Sequence, residues 1–263
     1  MTGRLKIDPD GRVSGPISIS YNNPFPTVNG SEGSGAMMGV IMHTMVGNLP
    51  GTIEVFNDSA KQVSAYFGIA QDGSVHQFGP IGKGWVAWAE MNGNSAWYSI
   101  EHADNGNTHN PLTDAQLAAS AQLVEVLSRF AGFPLQVTDS VSEKGYGTHE
   151  MGGGAWGGHT CPNPGPRAAQ RYDIIKLAKA IRADGGGGDG GRAQVTWTSD
   201  GSLSLLQLAA QHKTAPSAIL RMTAIHDGLF PGDVAAFING VFGGTISPQS
   251  ALPKGIVLQV PGN

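Results

Sequence analysis

Four side chains in this sequence have the types and placement to hold a metal ion: His43, His149, His159 and Cys161. His43 closes a short apolar run over residues 35–46. His149 and His159 flank a glycine-rich stretch, GTHEMGGGAWGGHTCPNPG, that runs past Cys161. A catalytic zinc site uses three nitrogen, sulfur or carboxylate ligands and keeps one position open. Two imidazoles and one thiolate, brought together from a strand and a distant loop, meet that requirement. The same residues allow a second chemistry, in which a thiol nucleophile is activated by a neighbouring histidine. Cys161 is the only cysteine, so no internal disulfide can form.

These groups need a rigid frame. The chain has 263 residues, 40% of them hydrophobic, which is enough for a sizeable core. Only 14% are charged and the formal net charge is −4. No Lys/Arg cluster occurs, which argues against a nucleic-acid partner held through its phosphates. No apolar run approaches the ~20 residues of a membrane span. The opening MTGRLKIDPDGRVSG lacks the apolar centre of a signal peptide, so synthesis in a cytoplasm without self-export is expected.

The sharpest punctuation is GGGGDGG at 185–191, whose six glycines in seven residues read as a flexible linker. The expected organisation is an irregular leader over 1–34, a catalytic domain over 35–183, a Gly-rich linker over 184–192 and a C-terminal domain over 193–263. Residues 35–46 read as a buried strand. Residues 63–70 and 74–78 read as a hairpin around Asp72-Gly73, and 97–103 as a further strand. Thr113 with Gln116 predicts a capping box. The helix that it opens has an apolar stripe of Leu117, Leu123, Val124, Leu127 and Phe130, ended by Gly132 and Pro134. A second helix spans 166–183, with Tyr172, Ile174, Ile175, Leu177, Ala178 and Ile181 inward. Strands interleaved with helices predict an α/β domain with a mixed central β-sheet and flanking helices. Past the linker, strands at 195–198 and 256–260 enclose helices at 203–211 and 216–222, a small α+β module.

The loop ending in His-Thr-Cys-Pro, with His149 upstream and His43 on an early strand, resembles the zinc site of the type 2 N-acetylmuramoyl-L-alanine amidases. This family includes peptidoglycan recognition proteins and many phage endolysins. AYFGIAQDGSVHQF resembles the family's central hairpin, and WAEMNGNSAWYSIEHAD its Trp, Asn and Ile-Glu strand. The resemblance covers about residues 35–183 and is greatest toward endolysins of actinobacterial phages. It implies Zn2+ on His43, His149 and Cys161. It also implies that Glu101 acts on the zinc water and that His159 binds the developing oxyanion. His149 is the preferred second ligand, because using His159 would leave no group for that oxyanion. Two positions depart from the family pattern. Many members carry a catalytic Tyr where this chain has Ala65, with Tyr66 beside it facing the other way. Many also carry a His after the Trp, where this chain has Ala89.

Trp88, Asn94 and Trp156 are expected to line a groove for glycan and stem peptide, with Trp85 and Trp97 nearby. The segment SLSLLQLAAQHKTAPSAILRMT and the closing ALPKGIVLQVPG resemble a divergent LysM-like wall-binding module. The implied protein is a peptidoglycan hydrolase that cleaves between N-acetylmuramic acid and L-alanine. An endolysin of this kind is made in the host cytoplasm, released through a holin and acts at the cell wall. Two rivals remain: a non-catalytic peptidoglycan receptor and a Cys-His wall peptidase.

Overall fold

The computed structural model describes residues 4–33, 35–162, 165–185, 194–198, 202, 207–208 and 257–261. Residues 3–183 form one compact unit, and residues 184–263 with 1–2 form a second. The strands of the first unit begin with β1 (Lys6–Ile7), β2 (Val13–Ser14), β3 (Ile19–Tyr21), β4 (Ser31–Glu32) and β5 (Gly39–Thr44). After α1 (Leu49–Asn57) come β6 (Phe67–Ile69), β7 (Val75–Gln77), β8 (Trp85–Val86) and β9 (Trp97–His102). Then follow α2 (Asp114–Ala131), β10 (Gly145–Thr148) and α3 (Arg167–Gly185). The second unit contributes an antiparallel pair, β11 (Gln194–Thr198) with β12 (Val257–Pro261).

Six strands build the central sheet in the order β10-β5-β9-β6-β7-β3. Strands β10, β5, β9 and β6 run parallel to one another, and β7 turns back antiparallel to β6. This is the mixed sheet with flanking helices that the sequence predicts. Parallel neighbours need long crossovers, and α1 and α2 lie within two of these connections. The β6–β7 hairpin turns at Asp72-Gly73: Asp72 Oδ1 accepts from Ser74 N at 2.9 Å, and Gly73 takes φ +83°.

Alternation along the strands sorts side chains onto two faces. Val40 and Met42 of β5, with Ile100 of β9 and Tyr146 of β10, face the helical layer. There they pack with Leu123, Val124 and Leu127 of α2 and Ile174 and Ala178 of α3. Ile41 and Trp97 face the opposite side, against Trp156. Helix α1 covers another part of the sheet through Phe56, which packs on Ala65 and Phe78. The predicted capping box is formed: Thr113 Oγ1 accepts from Gln116 N, and Gln116 Oε1 accepts from Thr113 N, both at 3.1 Å. Gly132 closes α2 at φ +73°.

Three expectations change. The leader is not irregular. Its β3 pairs parallel with β7 as the last strand of the sheet, and Leu5 and Val13 are in the main core. Gln77 anchors this segment, accepting from Val13 N at 2.8 Å and donating to Gly11 O at 2.8 Å. Tyr172 is 63% exposed, because it sits one residue, or about 100°, off the Arg171/Ile174/Ile175/Ala178 stripe. Phe130 is 51% exposed; it lies in the last turn of α2, against Gly82 rather than beneath the sheet. The helices expected at 203–211 and 216–222 fall outside the described residues, apart from Gln207 and Leu208, which are helical.

The leader strands therefore contribute to the stability of the first unit. Burying Leu5 and Val13 is worth ~1.5–3 kcal/mol each. A chain lacking residues 1–17 should lose at least ~3 kcal/mol in denaturant unfolding. Unchanged unfolding would show that the leader only decorates the surface.

Candidate metal centre and groove

The centre forms at the carboxyl ends of three adjacent parallel strands. His43 is the fifth residue of β5. Glu101 lies directly across from it on β9 in the ladder. His149 immediately follows β10, the neighbour on the other side. Cys161 arrives from the end of the glycine-rich loop. Its sulfur accepts from Thr44 N at 3.2 Å, and Cys161 O accepts from Glu150 N at 3.0 Å. One donor atom from each of His43, His149 and Cys161 falls within 4.8 Å of the others.

The rings have defined free edges. Nε2 of His149 donates to Trp156 O at 2.8 Å, which leaves Nδ1 as the lone-pair nitrogen. Nε2 of His43 is 2.9 Å from Glu90 Oε1, while Nδ1 is 3.9 Å from Glu101 Oε1. The two imidazole rings are 4.7 Å apart, centroid to centroid. His159 lies outside this triad; its ring sits 4.8 Å from that of His149. Of the two histidines in the loop, His149 is therefore the one placed with His43 and Cys161.

Burial dominates the electrostatics. It lowers the basicity of both imidazoles, that of His149 to about 4 with the neighbouring His43 adding to the effect. Burial raises the Cys161 thiol to about 12, and the Glu101 carboxylate beside it pushes the same way. Burial also raises Glu101, opposed by His43. Glu90 is fully buried and is raised well above the carboxylate range, with only the Ser99 hydroxyl pulling down. Oε2 of each glutamate is buried without a hydrogen-bond partner.

This donor set fits a zinc ion. Two neutral imidazoles with free Nδ1 atoms and one thiol that can ionise on binding match the ligands zinc takes. The buried Glu101 Oε2 beside them has no hydrogen-bond partner within the protein. A nucleophilic thiolate fits less well, because catalytic cysteines sit in environments that lower the thiol pKa, and burial here raises it.

Beside the centre lies a groove of about 510 Å³, lined by Gln62, Val63, Trp88, Ala89, Met91, Asn94, His149, Trp156 and His159. Trp88, Asn94 and Trp156 thus share one groove with His149 and His159. Trp97 lies buried under the groove, its ring 6.0 Å from that of Trp156. Asn94 also braces its own loop, where its Oδ1 accepts from Ala89 N at 2.9 Å and Glu90 N at 2.6 Å. Tyr66 points into the main core, donating to Trp85 O at 2.7 Å. Glu90 escapes the sequence reading. Its only signal there is an acidic residue inside the apolar, aromatic run WVAWAEMNG.

A family model described as N-acetylmuramoyl-L-alanine amidase matches residues 34–164. N-acetylmuramoyl-L-alanine amidase A of Achromobacter lyticus is 34% identical over 140 residues, spanning 48% of this chain and 77% of that protein. Among solved structures, the Staphylococcus aureus hydrolase AmiA aligns with a TM-score of 0.48 at 16% identity, covering 64% of this chain and 84% of that one. The amidase LysC of Clostridium intestinale aligns with a TM-score of 0.45 at 17% identity, covering 62% and 97%. With 34% identity across most of the Achromobacter enzyme and a family match over the segment that holds the His/His/Cys cluster, this chain belongs to the N-acetylmuramoyl-L-alanine amidase family.

Proposed function

We propose that this chain is a zinc-dependent N-acetylmuramoyl-L-alanine amidase that hydrolyses the amide between the lactyl group of muramic acid and L-alanine in peptidoglycan. The observation that carries the reading is the His43, His149, Cys161 cluster facing Glu101 at the edge of the aromatic groove. A bound zinc supplies Lewis acidity and lowers the pKa of water from ~15.7 toward ~7.

The protein's own groups do the rest. Trp88, Asn94 and Trp156 seat glycan and stem peptide along the groove. Glu101 takes the proton of the attacking water at a carboxylate oxygen and returns one to the leaving amine. Its raised basicity suits both transfers. His159, on the groove wall, donates to the oxyanion that forms at the lactyl carbonyl. His43 and His149 stay neutral and keep their Nδ1 atoms as ligands.

The biological setting follows from the same reading. The catalytic domain spans 35–183 together with its leader strands, and a Gly-rich linker at 184–192 tethers the module at 193–263. We read that module as LysM-like and wall-binding; the β11–β12 pair supplies its antiparallel strands. The protein then works as a phage endolysin, reaching the wall through a holin and lysing the host.

Cys161→Ser should abolish zinc binding and turnover, because the alkoxyl oxygen is a poorer zinc ligand than thiolate. Glu101→Gln should keep its zinc and still lose ~10²–10⁴ in kcat. Metal analysis beside kinetics separates the two. Full zinc and full turnover in the serine variant remove the metal site, and a loss under about threefold in the glutamine variant, far below that range, removes the proton role.

A chain of residues 1–184 should hydrolyse soluble muropeptides at the full-length rate and intact walls much more slowly. A tether through glycines raises only the effective concentration at a polymer. Equal slowing on both substrates would mean that the tail supports the fold or the active site. No slowing on walls would remove the wall-binding role.

A further inference from the structure

Glu90 is the most deeply placed acid near the centre, and the reaction described above makes no use of it. It lies on a loop remote from β5 in sequence, just before the 3-10 turn at Met91–Gly93. It has no exposed surface. Its Oε1 lies 2.9 Å from Nε2 of His43. The loop that carries it is held from both sides: Asn94 Oδ1 accepts from Glu90 N at 2.6 Å, and Glu90 O accepts from Gly93 N at 2.8 Å. A buried carboxylate without a cationic partner is costly, so a side chain kept there is held for an interaction.

We infer that Glu90 is a positioning residue of the metal centre, whose carboxylate grips Nε2–H of His43 so that Nδ1 faces the ion. The inference rests on the zinc reading above. The two ring nitrogens lie on different edges of the imidazole. Fixing a proton on Nε2 toward an acceptor therefore leaves the lone pair on Nδ1, and Nδ1 is the nitrogen on the Glu101 side. The other ligand histidine is oriented in the same sense by a neutral acceptor, Trp156 O on Nε2 of His149. Glu90 differs in carrying charge. A carboxylate behind a ligand histidine raises the donor strength of the opposite nitrogen. It also adds a second negative charge, beside the Cys161 thiolate, to balance a divalent ion.

The test compares full-length wild type, Glu90→Gln and Glu90→Leu by chelator competition for zinc, with melting of each metal-free protein. Losing such a partner typically weakens metal binding ~10–100-fold. Leucine should fall in that range and glutamine, which keeps an acceptor but no charge, about tenfold. The metal-free leucine variant should melt below wild type, since the buried Nε2–H of His43 loses its acceptor. A structural role alone would stop at that lower melting temperature and leave zinc affinity intact. Zinc affinities within about twofold of wild type in every variant that folds would overturn the inference, being well short of the expected loss. If leucine does not fold, glutamine alone decides. Absence of zinc from the wild type would overturn the zinc reading itself.

Discussion

The parallel pairing of β10, β5 and β9 is the constraint on which the centre depends. In a parallel ladder all three strands end on the same side of the sheet, so residues far apart in sequence emerge together. The register sets His43 against Glu101, and β10 ends at Thr148, one residue before His149. A slip of one residue would send these side chains to the opposite face, into the layer of α2 and α3. The hydrophobic alternation of β5 prevents that slip, because Val40 and Met42 must face the helices. Core packing and site geometry are therefore one specification. His149 follows the ladder directly, whereas Cys161 comes from the distant loop, and the backbone N–H of Thr44, on β5 itself, meets its sulfur.

Burial gives this centre its chemical character. Without a cation it favours neutral forms: unprotonated imidazoles, a thiol and carboxyls of raised basicity. A divalent ion reverses that preference, since its charge favours the thiolate and the carboxylates. Protonation of the acids and occupancy by metal are then alternatives, and Glu101 sits at the boundary between them. Trp88 and Trp156 line the groove at its edge, with Trp97 buried beneath Trp156.

The sequence made legible whatever is local or periodic. The capping box at Thr113 and Gln116, the Asp72-Gly73 turn and the mixed sheet with flanking helices were all readable from patterning. Trp88, Asn94 and Trp156 line one groove with His149 and His159. The failures have a different physics. The leader looked irregular because its strands are two or three residues long and gain order by tertiary contact: β1 pairs with β2, β3 with β7 and β4 with β8, and Leu5 and Val13 enter the core. Tyr172 is apolar by type and sits beside the stripe rather than on it. Glu90 was invisible for a third reason. Its partner lies 47 positions away, and no spacing rule joins a loop acid to a strand histidine.

The central claim is that one ion in the His43, His149, Cys161 cluster makes this fold an amidase. It is tested most directly by measuring zinc per purified chain, together with release of free L-alanine amino groups from bacterial walls before and after chelation. The account predicts stoichiometric zinc, release of those amino groups, loss of release on chelation and its return when zinc is restored. Release that continues unchanged in metal-free protein would contradict it.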